Sequence, residues 1–364
     1  MKILFTGSTA KHVCDDAHKR ARVKRIDDCS IICNSLRKQG FDIDRRRVEW
    51  GEDLSEYGLA IIGLGPFGSP NTSKQIFKAL YAMSVVKNVI VFYEDWKINE
   101  VISSYKNILT EGTLKRHLSK KWINGSPFYL GVDNPNFNTE TVKEQIQHVI
   151  DGKFDALIPA FDWGNKEIIR KVIKSKNIFN LDLTPYVLEN WNIPLTVEQK
   201  PKMKKHMLAS LASHTRWVDR LNLQWDVDYY GAKSIKSAPL LATETDVFNK
   251  CGEYWSVLCP RYPTAGSGWF RIRWIYSAIW KSIIIPNEKD SLALGLPHYD
   301  NIETMSDDEL KRVAEEQAEA ILKHTWTKED FDNKLKEIVL LKGDDLTILE
   351  SPKRVDASLE TFFN

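Results

Sequence analysis

The chain has 364 residues, and at about 150 residues per domain this length predicts two domains. Hydrophobic residues make up 43% of it and charged residues 27%, with a net charge of +2, and this balance excludes disordered and collagen-like chains. No stretch approaches ~18 consecutive apolar residues and the first apolar run is short, so we expect no membrane span and no signal peptide.

The cysteines and the charge distribution indicate a compartment and a class of partner. Five cysteines are an odd number and form no CxxC pair, which is typical of a reduced cytoplasmic protein. Residues 1–50 hold twelve Lys and Arg against seven Asp and Glu. This asymmetry favours a polyanionic partner, with a solvated charged face as the alternative.

Short apolar runs alternate with amphipathic segments through the first 180 residues. We predict strands and helices over the following ranges: strands 2–6, 59–64, 85–93 and 156–159; helices 25–39, 71–83 and 166–174. Gly40 follows the first helix as a C-terminal cap. The alternation predicts an α/β fold with a doubly wound parallel sheet.

A stretch with three prolines and a lysine cluster, residues 181–205, is predicted to connect two domains. The second α/β unit has these predicted elements: strands 207–211, 227–230, 256–259 and 282–285; helices from about 216, 270–279, 307–324 and 328–341. Parallel sheets bind ligands at the carboxyl ends of their strands. Two such units therefore predict a shared cleft, which suits a nucleotide.

The segment GLGPFG at residues 63–68 formally matches the dinucleotide motif GxGxxG. It follows an inner strand and carries Pro66 where a phosphate-binding turn needs a free amide, so we disfavour a dinucleotide site here. The sequence has no P-loop, no GxSxG elbow and no HExxH helix.

Arginines stand at the predicted strand-to-helix junctions of the second unit. Arg216 and Arg220 are four residues apart in HTRWVDR, so both can point toward an anion at the positive end of one helix. Arg271 and Arg273 follow a glycine-containing loop in GSGWFRIRW. The alternative role of each arginine is an ordinary surface salt bridge.

These pieces occur in an order that resembles one family. KQGFDI, VFYEDW, KPKMKK, HTRWVDR, DYYGAK, SAPLLATE and FRIRWIYSAIWKSIIIP run collinearly from the first strand toward the final helices. In this order and spacing the chain resembles the GT-B glycosyltransferases, in particular the T-even phage DNA β-glucosyltransferases that act on 5-hydroxymethylcytosine. The resemblance implies a GT-B fold of two facing Rossmann-like domains with an interdomain cleft.

Domain boundaries and catalytic residues follow from the resemblance. It implies an acceptor- and DNA-binding domain over 1–185, a nucleotide-sugar-binding domain over 186–345, and a tail over 346–364 that returns to the first domain. The family's general base falls on Asp95 in VFYEDW, with a turn cap as its alternative role and Glu94 as its alternative candidate. A family glutamate near the acceptor and sugar falls on Asp28, with Asp27 as the neighbouring candidate.

The resemblance also implies a donor site in the second domain. The arginines on the donor diphosphate fall on Arg216, Arg220 and Arg273, where planar guanidinium groups would neutralise the leaving group. The segment that holds the uracil through backbone groups falls on Thr243 to Thr245.

Two departures from the family pattern put the donor preference in question. The family's ribose-binding glutamate falls on Tyr276, which can donate a hydrogen bond but cannot accept from both ribose hydroxyls. The family's Gly-Gly ahead of the arginine pair is replaced by Ala212 and Ser213, followed by His214, which restricts close backbone approach to phosphates.

DNA binding is expected from clusters of basic residues. The candidate DNA contacts are Arg22, Lys24, Arg25, Lys97 and Lys120, with Arg45, Arg46 and Arg47 beside the first cluster. Chemistry on a base also needs that base flipped into a pocket with stacking surfaces. The aromatic candidates are Trp50, Phe67, Tyr93, Trp96 and Trp163, with a place in the hydrophobic core as the alternative for most aromatic residues.

The resulting hypothesis is an inverting glycosyltransferase that moves a sugar from a UDP-sugar to the hydroxyl of a hydroxymethylated pyrimidine in double-stranded phage DNA. The alternatives are a GT-B enzyme with a small-molecule, glycan or protein acceptor, and an inactive nucleotide-sugar- or DNA-binding protein. We expect a cytoplasmic monomer, inside the infected host cell if the protein is viral. No metal motif stands out, and the use of Mg²⁺ or Mn²⁺ is left open.

Overall fold

The computed structural model describes residues 1–14, 27–67, 70–93, 98–110, 114, 121–123, 126–128, 138–159, 173–175, 177–210, 227–231, 241, 243–259, 272–286, 296 and 302–343. Within these ranges the chain is an α/β protein, which confirms the predicted class. None of the helices in these ranges is long and apolar enough to cross a membrane.

The described strands form two parallel sheets and one antiparallel pair. The first sheet has the order β2-β1-β3-β4-β7-β8, the second has the order β10-β9-β11-β12, and β5 pairs with β6. The strands are β1 (Lys2–Gly7), β2 (Asp42–Arg45), β3 (Leu59–Leu64), β4 (Val89–Tyr93), β5 (Lys121–Ile123), β6 (Ser126–Phe128), β7 (Asp155–Ile158), β8 (Ile178–Asn180), β9 (Met203–Ser210), β10 (Val227–Gly231), β11 (Tyr254–Cys259) and β12 (Ile283–Pro286).

Helices connect most of these strands. The described helices are α1 (Ala10–Val13), α2 (Asp28–Lys38), α3 (Pro70–Val85), α4 (Ile98–Ile108), α5 (Thr139–Asp151), α6 (Thr184–Asn190), α7 (Glu244–Cys251), α8 (Ile272–Ile279), α9 (Asp307–Leu322) and α10 (Lys328–Gly343), and a 3₁₀ turn spans Ile302–Thr304. Ser306 caps α9 reciprocally with Glu309, as the SDDE signal predicts.

The first sheet is buried on both faces, because alternate residues of each strand enter different cores. Leu4 and Ile62 pack with helices α3, α4 and α5 on one face. Phe5 and Ile61 pack with helices α2, α6 and α10 on the other. A parallel sheet covered on both faces has nearly continuous apolar strands, which is why its strands are visible in the sequence.

The second sheet is organised in the same way. Met207 and Val257 pack with helices α7 and α8 on one face. Leu208 and Leu258 pack on the other face with the N-terminal half of α9. The C-terminal half of α9 contributes Ile321 to the core on the α7 and α8 side of the same sheet. One amphipathic helix thus closes both sides of this sheet at its β12 edge.

The structure differs from the sequence prediction at several places. The predicted connection 181–205 contains a helix, α6, whose Pro185 stands in the first turn, where a missing amide hydrogen costs nothing. Residues 173–175 are not helical, and the strand predicted from residue 85 begins at Val89 because α3 continues to Val85. Helix α7 was not predicted.

Lys202, just before β9, closes the C-terminal end of α8. Its Nζ donates to the carbonyl oxygens of Trp280 and Lys281, the latter at 2.8 Å, and to Ser282 Oγ at 2.9 Å. The Lys202 ammonium also lies 5.4 Å from the centre of the Trp255 ring. Burial nevertheless lowers the pKa of Lys202 to about 7.

This burial predicts a pH-dependent stability. Between pH 7 and the ordinary lysine pKa of 10.5 the unfolded chain binds a proton that the folded protein lacks, so the free energy of unfolding should rise with pH. The cost of burying Lys202 is complete below pH 7. Denaturant titrations from pH 7 to 9 should show a contribution of ~1.4 kcal/mol per pH unit that Lys202→Met removes. Equal pH slopes in the two proteins would contradict the assignment.

Candidate functional site

Strands β1 and β3 are neighbours in the first sheet, where β2 lies on one side of β1 and the later strands lie on the other. This reversal of the strand order is the usual place for a ligand crevice in a parallel sheet. The loops after these two strands are bonded to each other. Ser8 N donates to the Gly63 carbonyl at 2.9 Å, and Gly65 N donates to Ser8 Oγ at 2.6 Å. Two hydrogen bonds therefore connect the residues that follow β1 to those at the end of β3, at the carboxyl edge of the first sheet.

His12 fills the space beside these strands. The His12 side chain is buried, and its Nδ1 accepts a hydrogen bond from Thr9 N at 3.2 Å. A Cβ atom added to Gly63 would lie 2.5 Å from atoms of the His12 ring, and one added to Gly7 would lie 2.6 Å from Nδ1. Gly63 and Gly65, the first two glycines of GLGPFG, leave space for the His12 ring and the Ser8 hydroxyl respectively. This packing accounts for both glycines without a bound dinucleotide.

The two candidate aspartates at the start of α2 have different surroundings. Asp27 caps the helix, because its carboxylate accepts hydrogen bonds from Ser30 N and Ser30 Oγ at 2.9 and 2.8 Å. It also pairs with Arg45 at 3.1 Å. Asp28 is the first residue of the helix itself. Asp27 is thus engaged in the helix cap and in an ion pair, and Asp28 stays the residue predicted to contact acceptor and sugar.

Two of the arginines that stand beside the predicted DNA-contact cluster are engaged within the protein. Arg45 is buried against Asp27 and Ser30. Arg46 pairs with Glu52 at 2.6 Å and Asp44 at 2.8 Å, and the bond to Glu52 raises the pKa of Arg46. Internal carboxylates therefore hold the Arg45 and Arg46 side chains beside the predicted DNA-contact cluster, whereas Arg47 is exposed.

The aromatic candidates for base stacking also divide. Trp50 and Tyr93 are buried in the core on the α3 side of the first sheet, so the prediction that they offer stacking surfaces is wrong. Phe67 is half-buried, with its ring centre 4.8 Å from that of Tyr105 and 5.8 Å from that of Phe77. Trp96 and Trp163 lie outside the described residues.

In the second unit, the segment 243–245 begins a helix. Thr243 is the N-cap of α7: its Oγ1 accepts from Asp246 N at 3.1 Å, and its own N donates to the Asp246 carboxylate at 2.8 Å. Thr245 Oγ1 donates to the Trp191 carbonyl at 3.0 Å. The reciprocal cap T-E-T-D was the sequence signal for this helix.

Tyr276, Glu244 and Arg273 come together where α7 and α8 begin. Tyr276 is fully buried, and its hydroxyl donates to Glu244 Oε2 at 3.4 Å. Burial, with the Glu244 charge adding to it, raises the pKa of Tyr276. Arg273 lies one turn before Tyr276 on α8, and its buried Nε has no hydrogen-bond partner among the residues of the described ranges.

Glu244 lies within the segment Thr243 to Thr245 that was predicted to hold the uracil through backbone groups, but no role was predicted for its side chain. It is the last letter of SAPLLATE, a motif quoted only for the resemblance. Its half-buried carboxylate lies beside Tyr276, the residue on which the resemblance predicts that the family's ribose-binding glutamate falls. Nothing in the one-dimensional spacing, 32 residues between the two, indicates that they meet.

The remaining site predictions fall outside the described residues. These are Asp95, Arg216, Arg220, Arg22, Lys24, Arg25, Lys97 and Lys120. The described backbone places the ends of β4 and β9 just before Asp95 and the arginine pair. In the part of the chain that is described, no three His, Cys, Asp or Glu side chains form a metal-binding group.

No protein-family profile and no curated protein sequence matches the chain. A solved structure does: the T4 phage β-glucosyltransferase in complex with UDP and Mn²⁺ aligns with a TM-score of 0.52 at 12% identity, over 93% of this chain and 99% of that chain. This protein shares the fold of that enzyme. The resemblance to the GT-B glycosyltransferases that the sequence predicts is thereby confirmed for the fold.

Two other solved structures align less well. The T4 phage β-glucosyltransferase in complex with UDP-glucose has a TM-score of 0.49 at 13% identity, over 94% of this chain and 99% of that chain. The glycosyltransferase SnogD from Streptomyces nogalater has a TM-score of 0.36 at 11% identity, over 94% and 99%. Facing domains divided at residues 185 and 186, with a cleft between them, stay a prediction.

Proposed function

We propose that the protein is an inverting glycosyltransferase that uses a UDP-sugar and acts on a hydroxymethylated pyrimidine in double-stranded DNA. The observation that carries the donor part is the group formed by Arg273, Tyr276 and Glu244. Helix α8 follows β11 of a parallel sheet, so its N-terminal turn lies at the carboxyl edge, where anions bind. Fold likeness to a UDP-bound glucosyltransferase supports the same site.

Each member of the group has a role in holding the donor. The Arg273 guanidinium would donate to the diphosphate, which supplies the partner that its buried Nε lacks. The Glu244 carboxylate would accept from the ribose hydroxyls, a task that Tyr276 cannot perform. Tyr276 holds Glu244 in place through the 3.4 Å hydrogen bond.

The transfer step is a displacement at the sugar carbon C1. Asp95 takes the proton from the acceptor hydroxyl as the oxygen attacks C1, and the bond between C1 and the diphosphate oxygen breaks with its electron pair leaving on UDP. Arg216, Arg220 and Arg273 neutralise that leaving group. Asp28, at the start of α2, would hold the acceptor or sugar from the first sheet.

For a DNA acceptor, the remaining basic candidates are Arg22, Lys24, Arg25, Lys97 and Lys120. Each phosphate that they neutralise would add roughly 0.9 to the salt slope of binding to duplex DNA. The second candidate function is transfer to a small-molecule, glycan or protein acceptor. It is favoured by the internal pairing of Arg45 and Arg46 with carboxylates, which reduces the basic charge available to phosphates beside the first cluster.

The decisive experiment offers the protein a panel of UDP-sugars with hydroxymethylcytosine-containing DNA and with unmodified DNA. Digested nucleosides are then weighed by mass spectrometry, with and without added Mg²⁺ or Mn²⁺. A pentose or hexose increment on the modified base alone would support the DNA acceptor and identify the sugar class. UDP release only with other acceptors would support the second candidate, and UDP binding without release would contradict both.

Arg273→Ala should weaken UDP binding by ~1.5–3 kcal/mol, the usual contribution of a charge-assisted hydrogen bond. Isothermal titration calorimetry with UDP and with uridine would measure this. Because uridine has no diphosphate, its affinity should stay unchanged. Arg273→Lys keeps the charge but loses the planar fork, so we expect an intermediate loss. Equal losses for UDP and uridine would remove Arg273 from the diphosphate site.

A further inference from the structure

The two sheets contact each other at the C-terminal end of α6, at a joint formed by Trp191 and Ile272. Trp191, the C-cap of that helix, packs against a core of the first sheet and against a core of the second. Ile272, the residue before Arg273, also packs against both cores. Helix α8, which carries Arg273 and Tyr276, therefore starts at the contact between the two sheets.

Helix α6 is fixed to the first sheet near its N-terminal end. Tyr186 Oη and Ser35 Oγ both donate to Asp332 Oδ1, each at 2.5 Å, which joins α6 to α2 and α10. The Tyr186 ring meets the Phe331 ring edge-on, with 5.0 Å between their centres. Three helices on one face of the first sheet are thus bonded through a single carboxylate.

The other end of α6 is bonded to the second unit. The Trp191 carbonyl accepts the Thr245 hydroxyl at 3.0 Å, and Thr245 is the second residue of α7, directly after Glu244. A helix C-terminus leaves its last carbonyls without helical partners, so this bond satisfies one of them. The Thr245 hydroxyl is in this way directed to the joint.

We propose that Thr245 is a positioning residue that fixes Glu244 and the helices α7 and α8 relative to the first sheet, an inference that rests on the proposed function. The route has two ends, Asp332–Tyr186 on the first sheet and Trp191–Thr245 on the second. Displacing reacting groups by even 1 Å can cost ~100-fold in rate. UDP, in contrast, would contact only second-unit residues and needs no alignment with the acceptor.

The test uses Thr245→Val, which keeps the shape and loses the hydroxyl, and Thr245→Ser, which keeps the hydroxyl. Tyr186→Phe removes the hydroxyl near the other end of α6. It provides an independent test of the same alignment if Thr245→Val does not fold. For Thr245→Val and Tyr186→Phe we expect kcat of transfer to fall ~10-fold, with the Kd for UDP within about twofold of wild type. Thr245→Ser should keep both values near wild type.

Two results would overturn the proposal. If UDP affinity falls as much as kcat in Thr245→Val, the hydroxyl itself helps to hold the nucleoside, in addition to the backbone contacts that the sequence resemblance implies for this segment. If kcat is unchanged in both Thr245→Val and Tyr186→Phe, the joint does not align the two sides. A wild-type protein that neither binds UDP nor transfers sugar would instead refute the proposed function.

Discussion

Asp95→Asn should lower the transfer rate ~100- to 10,000-fold, the usual contribution of a positioned general base. Asp95 follows the last residue of β4 by two positions in the sequence, and β4 is an inner strand of the first sheet that lies between β3 and β7. Asparagine has nearly the same shape but cannot accept the proton that the acceptor hydroxyl loses as it attacks C1. Since the proposed donor contacts lie in the second unit, UDP affinity should stay within a few-fold.

Glu94→Gln is the matched control, because Glu94 is adjacent and was the alternative base. Single-turnover assays with saturating donor would separate chemistry from binding. Wild-type rates for Asp95→Asn together with a large loss for Glu94→Gln would move the base to Glu94. Comparable small losses in both variants would contradict base catalysis by either of these two residues.

Gly63→Ala should destabilise the fold by roughly 3 kcal/mol or more, because the new methyl group would overlap a buried ring. Its Cβ would lie 2.5 Å from His12 Cδ2 and Cγ, and the ring is itself enclosed between Gly7, Gly63 and Phe92. Gly63 lies in the inner strand β3, so a shift of its backbone would disturb the pairing with β1 and β4.

Denaturant unfolding of Gly63→Ala, His12→Ala and the double variant would measure this overlap. Removing the ring makes room for the methyl group, so the double variant should be less destabilised than the sum of the single changes. Gly65→Ala provides a milder comparison, because there the nearest atom is the Ser8 hydroxyl at 2.9 Å. Additive changes in Gly63→Ala and His12→Ala would show that the ring is not the cause.

Much of the fold could be predicted from local patterns. Buried parallel strands such as Leu59–Leu64 are apolar throughout, and the helix caps at Asp27 and Ser306 follow short-range rules. Helix α6 was missed because its segment has the prolines and lysines of a linker. Helix α7 was not predicted, although the reciprocal cap of Thr243 and Asp246 that begins it is also a short-range pattern.

The amino-acid sequence was sufficient to predict the α/β class, the alternation of strands and helices and, through the order of its motifs, a GT-B resemblance that the fold likeness confirms. These are local or collinear properties. Which polar side chains bond to one another became known from the three-dimensional packing. Arg45 and Asp27 are paired across 18 residues, Tyr276 meets Glu244 across 32, and Thr245 meets Trp191 across 54. Such contacts depend on how whole elements pack, and a charge or hydroxyl that is satisfied inside the protein looks the same in the sequence as one that is available to a ligand.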